Sequence, residues 1–172
     1  MKKLFLLISV LSVCTTAFVT YDAPVNFADE KKAIDTLLDN WHVAAANGDY
    51  SGYFGKIADE GRYIGTDAGE NWDKKAFSTF SKPYFDKGKA WDFKPLERNI
   101  YFSKDGKTAW FDELLDTWMK VCRGSGVLEK VGKEWKIKHY VLSMTVPNEV
   151  TQQVLPLKGK YEDDLIEKMK KK

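Results

Sequence analysis

The stretch LERNIYFSKDGKTAWFDELL (residues 96–115) decides the fold, because two alternating segments meet in it at a strong turn signal. Asp105-Gly106 is typical of a two-residue hairpin turn, and such a turn fixes the register of the strands on either side. Side chains alternate along a strand, so one face of this hairpin holds four cross-strand pairs. These pairs are Phe102 with Ala109, Ile100 with Phe111, Arg98 with Glu113, and Leu96 with Leu115.

Arg98 and Glu113 are the only charged residues on that face, and its apolar character predicts that it points inward. A single buried charge is costly, so the two side chains are expected to satisfy each other. Two interpretations remain open. The pair is either a structural ion pair beneath the helices or a polar anchor exposed to a cavity. The opposite face sets Asn99 against Asp112 and is predicted to meet solvent or a subunit partner.

The hairpin belongs to a predicted meander of four strands, near residues 91–103, 107–116, 119–130 and 134–145, where alternation and β-rich composition prevail. In the last strand His139 shares a face with Trp135 and Ile137, so it is predicted to point inward. Imidazole carries protons readily near neutral pH. His139 is therefore either a candidate general acid or a core residue whose ring nitrogens are satisfied by hydrogen bonds.

The third strand of the meander holds Gly124 and Gly126, which weaken a strand but permit a bend or the close approach of a ligand. If its turn is Gly132-Lys133 alone, Gly126 lies opposite His139. If the loop also includes Val131, Ser125 faces His139 and Arg123 lies beside Val141. The register therefore determines whether Arg123 belongs to a pocket.

Three helices are predicted before the meander. The first begins at Asp29 as N-cap and stops at Asn47-Gly48, with apolar positions at helical spacing: Ile34, Leu37, Leu38, Trp41 and Ala45. Trp41 is central to this stripe and is either core or pocket wall. His42 flanks the stripe and is predicted to lie at the surface or rim.

Asp49 is the predicted cap of a short second helix, which would bury Tyr53, Phe54 and Ile57 before a brief strand over residues 62–65. Asp73 is the predicted cap of a third helix, with Phe77, Phe80 and Tyr84 as its apolar positions and Pro83 kinking or ending it early. Helical character returns after Pro147.

The composition is that of one soluble globular domain: 172 residues, 44% hydrophobic and 30% charged. Aromatic residues make up 14%, including six Trp. Such a content suits a protein that surrounds a flat or apolar molecule, although large side chains filling an ordinary core are the simpler explanation.

The first residues predict export. Lys2-Lys3, the apolar run 4–13 and the small residues 15–17 match a secretory signal peptide, with cleavage expected after Ala17 and a periplasmic or secreted product. The run is too short to span a bilayer, so an integral membrane protein is not expected. A lipoprotein signal with lipid attached at Cys14 is the alternative, but Val13 is bulky where a small residue is usual.

Loss of the leader removes Lys2 and Lys3 from the 27 basic residues, leaving 25 against 25 acidic residues. A neutral chain gives no electrostatic reason to bind nucleic acid. Cys122 would be the one remaining cysteine, so no intrachain disulfide is expected.

No sequence motif points to a metal or cofactor. The chain has two His and no H-x-x-x-H or paired-cysteine spacing, and it has no phosphate-binding or dinucleotide loop. Ser125 lies in a predicted strand and lacks the elbow of a hydrolase nucleophile. Any chemistry would be proton transfer by Glu, Asp, His or Tyr without a cofactor.

Four stretches together resemble the SnoaL-like branch of the nuclear transport factor 2-like superfamily, over roughly residues 30–150. They are YIGTDAGENW (63–72), AWFDELLD (109–116), CRGSGVL (122–128) and WKIKHYVLS (135–143). The resemblance implies an α+β fold, in which a cone-shaped, curved, antiparallel or mixed sheet wraps around three N-terminal helices and leaves an apolar pocket. Members of this branch frequently form dimers through the sheet, so the resemblance also implies a homodimer. The predicted domain organisation is therefore a signal peptide (1–17), a SnoaL-like domain (28–150) and a C-terminal helical extension (151–172), of which only the second is implied by the resemblance.

Members of that branch include cyclases, isomerases and dehydratases that use acid-base pairs, alongside domains without catalysis. Two hypotheses follow. The first is an exported protein that binds a small hydrophobic or aromatic ligand, with these candidate contacts: Trp41, Tyr63, Trp72, Arg98, Phe111 and Arg123. The second is a cofactor-independent isomerase, cyclase or dehydratase, with Glu113 as base, His139 as acid and Arg98 stabilising an enolate oxygen.

Overall fold

The structure, a computed structural model, describes residues 26–171, so the predicted leader lies outside the described residues. The described residues form an α+β fold with four α-helices: α1 (Phe27–Ala46), α2 (Tyr50–Phe54), α3 (Lys74–Phe85) and α4 (Thr151–Lys170), the last preceded by a 3-10 turn (Asn148–Val150). They also form six strands: β1 (Ile57–Ile64), β2 (Asn71–Asp73), β3 (Lys94–Phe102), β4 (Thr108–Thr117), β5 (Lys120–Val131) and β6 (Glu134–Met144). The strands make one mixed sheet in the order β2-β1-β6-β5-β4-β3, in which β1 is parallel to β6 and the other neighbours are antiparallel.

The N-terminal helices begin at side-chain caps. The cap of α1 is Asn26 rather than the predicted Asp29: its side-chain oxygen accepts from the backbone N–H of Ala28 at 3.1 Å. Asp49 and Asp73 cap α2 and α3, as predicted. A cap satisfies backbone donors that have no partner within the first turn, so each fixes where its helix starts.

Two element boundaries differ from the prediction. β1 begins at Ile57 instead of residue 62, because Ile57 pairs with Ile137 of β6 and so belongs to the sheet. Pro83 lies inside α3, which continues to Phe85. A proline this close to the C-terminal end of a helix interrupts few of its hydrogen bonds.

The predicted hairpin register is confirmed for three pairs: Arg98 with Glu113, Ile100 with Phe111, and Phe102 with Ala109. The turn is wider than two residues, since the Gly106 N–H donates to the Ser103 carbonyl, yet Ser103 still pairs with Thr108 and the register is unchanged. The prediction that Leu96 pairs with Leu115 was wrong. Pro95 lies opposite Leu115, and a bulge leaves Leu96 60% exposed. Proline has no N–H for the ladder, and bulges are common at edge strands such as β3.

The register between β5 and β6 follows neither predicted alternative along its whole length. The turn is Gly132-Lys133, as in the first alternative, and Leu128 pairs with Ile137. A bulge at Lys138 then shifts the pairing, so that Val127 faces His139 and Gly126 faces Tyr140. One extra residue on a strand reverses which side chains point inward beyond it.

The core lies between α1, α2 and α3 on one side and the inward-facing strand residues on the other. Its largest fully buried side chains include Trp41, Tyr53, Phe77 and Tyr140, so the interior is mainly aromatic. By contrast, no side chain of α4 is buried. None of the helices within residues 26–171 is long and apolar enough to cross a membrane.

Candidate functional site

An aromatic cavity of about 220 Å³ opens where β1, β2 and α3 meet the chain segment that leads into β3. Its walls are lined by Tyr63, Gly65, Thr66, Glu70, Trp72, Phe77, Phe80, Tyr84, Ala90, Trp91, Phe93, Trp118 and Leu142. Eight of these thirteen residues are aromatic, so a ligand would meet ring faces and edges far more often than polar groups.

The local sequence explains how these rings come together. Asp73 starts α3 immediately after β2, which places Trp72 next to Phe77 and Phe80 at ring-centre distances of 5.5 and 4.8 Å. Phe77 also stacks on Tyr63 of β1 at 3.8 Å. The predicted apolar positions of α3 therefore serve two purposes. Phe77 is buried, whereas Phe80 and Tyr84 are nearly half exposed because they face the open cavity.

Trp118 forms part of the rim of this cavity from the turn between β4 and β5. It is 80% exposed, the highest exposure of any large hydrophobic residue in the described chain. A tryptophan that is this exposed, beside a concave aromatic wall, is typical of a binding site.

Two of the six predicted ligand contacts, Tyr63 and Trp72, line the cavity. Trp41 and Phe111 do not. Both are at most 2% exposed and belong to the closed core, where Trp41 stacks on Tyr53 and Phe111 packs against Tyr140. Trp41 is therefore a core residue, which is one of the two positions predicted for it, and Phe111 is a core residue as well.

Arg123 lies on the outer face of the sheet, so its predicted place in the pocket was wrong. It pairs across the strands with Leu114 and Ser143 rather than with Val141. Its half-exposed guanidinium meets the Asp112 carboxylate at 3.4 Å. The Gly132-Lys133 turn explains the difference, because it sets Leu128 opposite Ile137, and alternation along β5 then places Gly126, Gly124 and Cys122 inward and Arg123 outward.

His139 was also placed on the wrong face. It pairs with Val127 and with Arg62 and is only partly buried, while its neighbour Tyr140 takes the inward position at 1% exposure. The same bulge at Lys138 causes this reversal. Glu113 and His139 therefore lie on opposite faces of the sheet and do not form an acid-base pair.

Glu113 instead pairs with His42, which the sequence had assigned to the surface or rim. His42 is 3% exposed, and its Nε2 lies 2.9 Å from Glu113 Oε1. A signal for this burial exists in the sequence, because His42 follows Ile34 and Leu38 at intervals of four residues and so lies on the same side of α1.

Arg98 binds the other oxygen of Glu113. Its Nε donates to Oε2 at 3.0 Å, and Nη2 lies 2.9 Å from the same oxygen without the alignment of a hydrogen bond. Its Nη1 reaches over to α1, where it donates to the carboxylate of Asp39 at 2.9 Å and to Asp35. Arg98 and Glu113 thus form an ion pair that ties β3 and β4 to α1.

Gly124 and Gly126 make room for this arrangement rather than for a ligand. A Cβ at Gly124 would lie 2.5 Å from the Tyr140 hydroxyl and 2.9 Å from Glu113 Cγ. A Cβ at Gly126 would meet the Phe111 ring and the backbone of His139. The two glycines therefore allow large side chains on the neighbouring strands to lie flat over β5.

The electrostatics of the cluster favour an ionised Glu113. Burial raises the pKa of its carboxyl, but the hydrogen bond and charge of His42 and the charge of Arg98 outweigh burial and bring the pKa below its usual range. Tyr140, whose hydroxyl donates to Glu113 Oε1 at 3.4 Å, has its pKa raised well above the usual range by burial and by that negative charge. Glu113 is held as an anion and Tyr140 as a neutral phenol.

A second concavity, which we call the His42 groove, lies beside this cluster. It is lined by Asp39, His42, Val43, Ala46, Asp92, Phe93, Lys94 and Pro95. Phe93 lines both the groove and the aromatic cavity, and so separates the two. Within residues 26–171 no group of three or more His, Cys, Asp or Glu side chains is placed to hold a metal ion.

Solved structures of other proteins share the α+β fold described above. A domain of unknown function with a cystatin-like fold from Nostoc punctiforme matches with a TM-score of 0.62 and 16% identity, over 86% of this chain and 100% of that one. An NTF2-like protein of unknown function from Pseudomonas putida matches with a TM-score of 0.58 and 16% identity, over 73% and 92%. A candidate scytalone dehydratase from Novosphingobium aromaticivorans matches with a TM-score of 0.59 and 11% identity, over 70% and 87%.

These identities are low and speak to the fold alone. A search of curated proteins finds no significant match. The family model for the SnoaL-like domain matches residues 34–147, which include all six strands and most of α1. The chain therefore belongs to the SnoaL-like family, and it shares the fold of NTF2-like proteins.

Proposed function

We propose that this protein binds a small apolar aromatic molecule in the aromatic cavity. The observation that carries the proposal is the wall itself, in which rings from α3, β1 and β2 surround a concave space that opens to solvent at Trp118. Ligand pockets of this kind are lined mainly by apolar and aromatic side chains with few polar groups.

The dimensions of the cavity limit the ligand. About 220 Å³ is below the usual range of roughly 300–1,000 Å³ for drug-sized ligands, which favours a molecule with a single ring. Such a molecule can stack on Trp72 or Phe80 and cover part of the exposed Trp118. Burial of that surface and of the ligand supplies the driving force.

A catalytic role is the second candidate, supported by the buried His42–Glu113 pair and by the fold shared with a candidate scytalone dehydratase. The geometry favours binding over catalysis. Neither His42 nor Glu113 lines the aromatic cavity, and both oxygens of Glu113 are already engaged by His42 and Arg98. A ligand in the cavity would therefore meet no free acid-base pair from this cluster.

A thermal-shift titration with p-xylene tests the binding proposal. At a concentration 100 times Kd, a ligand stabilises the folded state by about 2.7 kcal/mol, which raises Tm by about 5–10 °C for a domain of this size. Ala90→Leu adds three carbons to the cavity wall and should abolish this shift.

Ala46→Leu is the matched control, because Ala46 is also half-buried but lines the His42 groove. It should keep the p-xylene shift of the wild type. If p-xylene stabilises Ala90→Leu equally, or if neither p-xylene nor the related phenol p-cresol stabilises the wild type, the aromatic cavity is not the binding site.

Export and self-association are further parts of the proposal. The leader-like sequence at residues 1–17 supports a periplasmic or secreted protein, and the mass of the mature chain tests it. A chain that begins at Phe18 supports cleavage after Ala17, a lipidated Cys14 supports the lipoprotein alternative, and a chain that keeps residues 1–17 refutes export. A homodimer is supported by partly exposed rings on the outer face of the sheet, Tyr101 and Trp110. A monomer at micromolar concentration in sedimentation would contradict it.

A further inference from the structure

The interior next to the cavity contains buried polar atoms that have no hydrogen-bond partner. Within the described residues they are Trp41 Nε1, His42 Nδ1, Tyr53 Oη and Arg98 Nη2. Most buried polar atoms in folded proteins are paired, so a group of unpaired ones requires an explanation. These four are close together. Trp41 stacks on Tyr53 at 4.7 Å and contacts the His42 ring at 5.4 Å, and His42 shares Glu113 with Arg98.

In Trp41 and Tyr53 the one polar atom of the side chain makes no hydrogen bond, although the Trp91 side chain lies close enough to the Tyr53 hydroxyl to act against the rise in its pKa. His42 and Arg98 each bind Glu113 through another nitrogen. An indole N–H can only donate a hydrogen bond, whereas a phenol can donate or accept. The group that would satisfy both side chains is therefore a hydrogen-bond acceptor.

Two rings of the cavity wall, Phe77 and Trp91, separate this pair from the aromatic cavity. Tyr53 meets Trp91 edge to face at 5.4 Å, and Trp91 lines the cavity. Trp91 is half-buried and lies between α3 and β3, in a segment without helix or strand. Phe77 is buried within α3, so Trp91 is the ring that would turn aside with the smaller change to the fold.

We infer that the aromatic ligand carries an uncharged oxygen, which passes Trp91 and accepts hydrogen bonds from the Trp41 N–H and the Tyr53 hydroxyl. This inference rests on the proposed binding function and adds the chemical class of the ligand: phenols, aryl ketones and aryl ethers rather than plain hydrocarbons. An ion fits poorly, because burial raises the pKa of Tyr53 well above its usual range and so marks a setting hostile to charge.

The test compares p-cresol with p-xylene, which differ only in a hydroxyl in place of a methyl group. Kd is measured for both by calorimetry on the wild type and on Tyr53→Phe. The variant should weaken p-cresol about tenfold, the loss of one net hydrogen bond, and leave p-xylene within twofold. The free variant should be at least as stable as the wild type, because it loses only an unpaired hydroxyl.

Tyr101→Phe is the control, since Tyr101 is half exposed and stacks on Trp110 on the outer face. It should change neither Kd. If p-xylene binds the wild type but Tyr53→Phe weakens both probes equally or neither, the inferred polar contact is refuted and the binding function stands. If neither probe binds the wild type, the binding function fails and the inference fails with it.

Discussion

Glu113→Gln tests whether the buried charge cluster holds α1 to the sheet. The substitution keeps the shape of the side chain but removes its negative charge, while Arg98 remains only 7% exposed. Breaking a buried ion pair by neutralising one partner costs about 3–5 kcal/mol, because the other charge stays in the interior. Arg98 keeps the Asp39 carboxylate at 2.9 Å, so we expect the low end of that range, about 3 kcal/mol.

Asp112→Asn is the matched control, because it makes the same change at the preceding residue of β4, which lies on the opposite face. The Asp112–Arg123 contact is 3.4 Å long and partly exposed, and such pairs contribute about 0–1 kcal/mol. Urea unfolding followed by circular dichroism gives both free energies. The corresponding fall in Tm for Glu113→Gln is about 6–12 °C. If the two variants lose the same stability, within about 0.5 kcal/mol, the cluster does not hold the fold as argued.

Three further predictions follow from the same geometry. The lowered pKa of Glu113 contributes stability that is fully present above the unfolded pKa of 4.5 and is lost as pH falls through the folded pKa. The difference in unfolding free energy between the wild type and Glu113→Gln should therefore narrow in acid, and a difference that is independent of pH in urea unfolding would contradict this. His42→Ala should cost about 2 kcal/mol by leaving Glu113 Oε1 short of a partner, whereas His139→Ala should change stability by less than about 0.5 kcal/mol, and the reverse order would place the wrong histidine inside. Gly126→Ala should cost about 2 kcal/mol because its Cβ meets the His139 backbone and the Phe111 ring, and a variant with the wild-type Tm would refute that close packing.

Much of the fold could be predicted from local sequence signals. The helix caps Asp49 and Asp73 and the hairpin register that sets Arg98 opposite Glu113 depend on residues close in sequence, and the structure confirms them. The turn is longer than the two residues predicted, but the predicted register is unaffected because Ser103 and Thr108 pair in either case. Local periodicity was sufficient where no bulge intervened.

The candidate site was harder to predict because one turn and one bulge decide it. Strict alternation places His139 inward, whereas one extra residue at Lys138 of β6 puts Tyr140 there instead. Arg123 lies outward for a separate reason, since the Gly132-Lys133 turn places Cys122 and Gly124 of β5 on the inward face. Neither Lys138 nor its neighbours carry a bulge signal such as Gly or Pro. His42 was missed for a different reason. Its spacing from Leu38 indicates burial, but its partner Glu113 is 71 residues away and is visible only in the folded chain.

Native mass spectrometry of the protein isolated from its own cells tests the central claim, ligand binding in the aromatic cavity, most directly. The wild type should retain a small uncharged aromatic molecule that is released on unfolding, and Ala90→Leu should be isolated without it. A wild type free of any organic molecule, or an Ala90→Leu variant that retains the same one, would contradict the account.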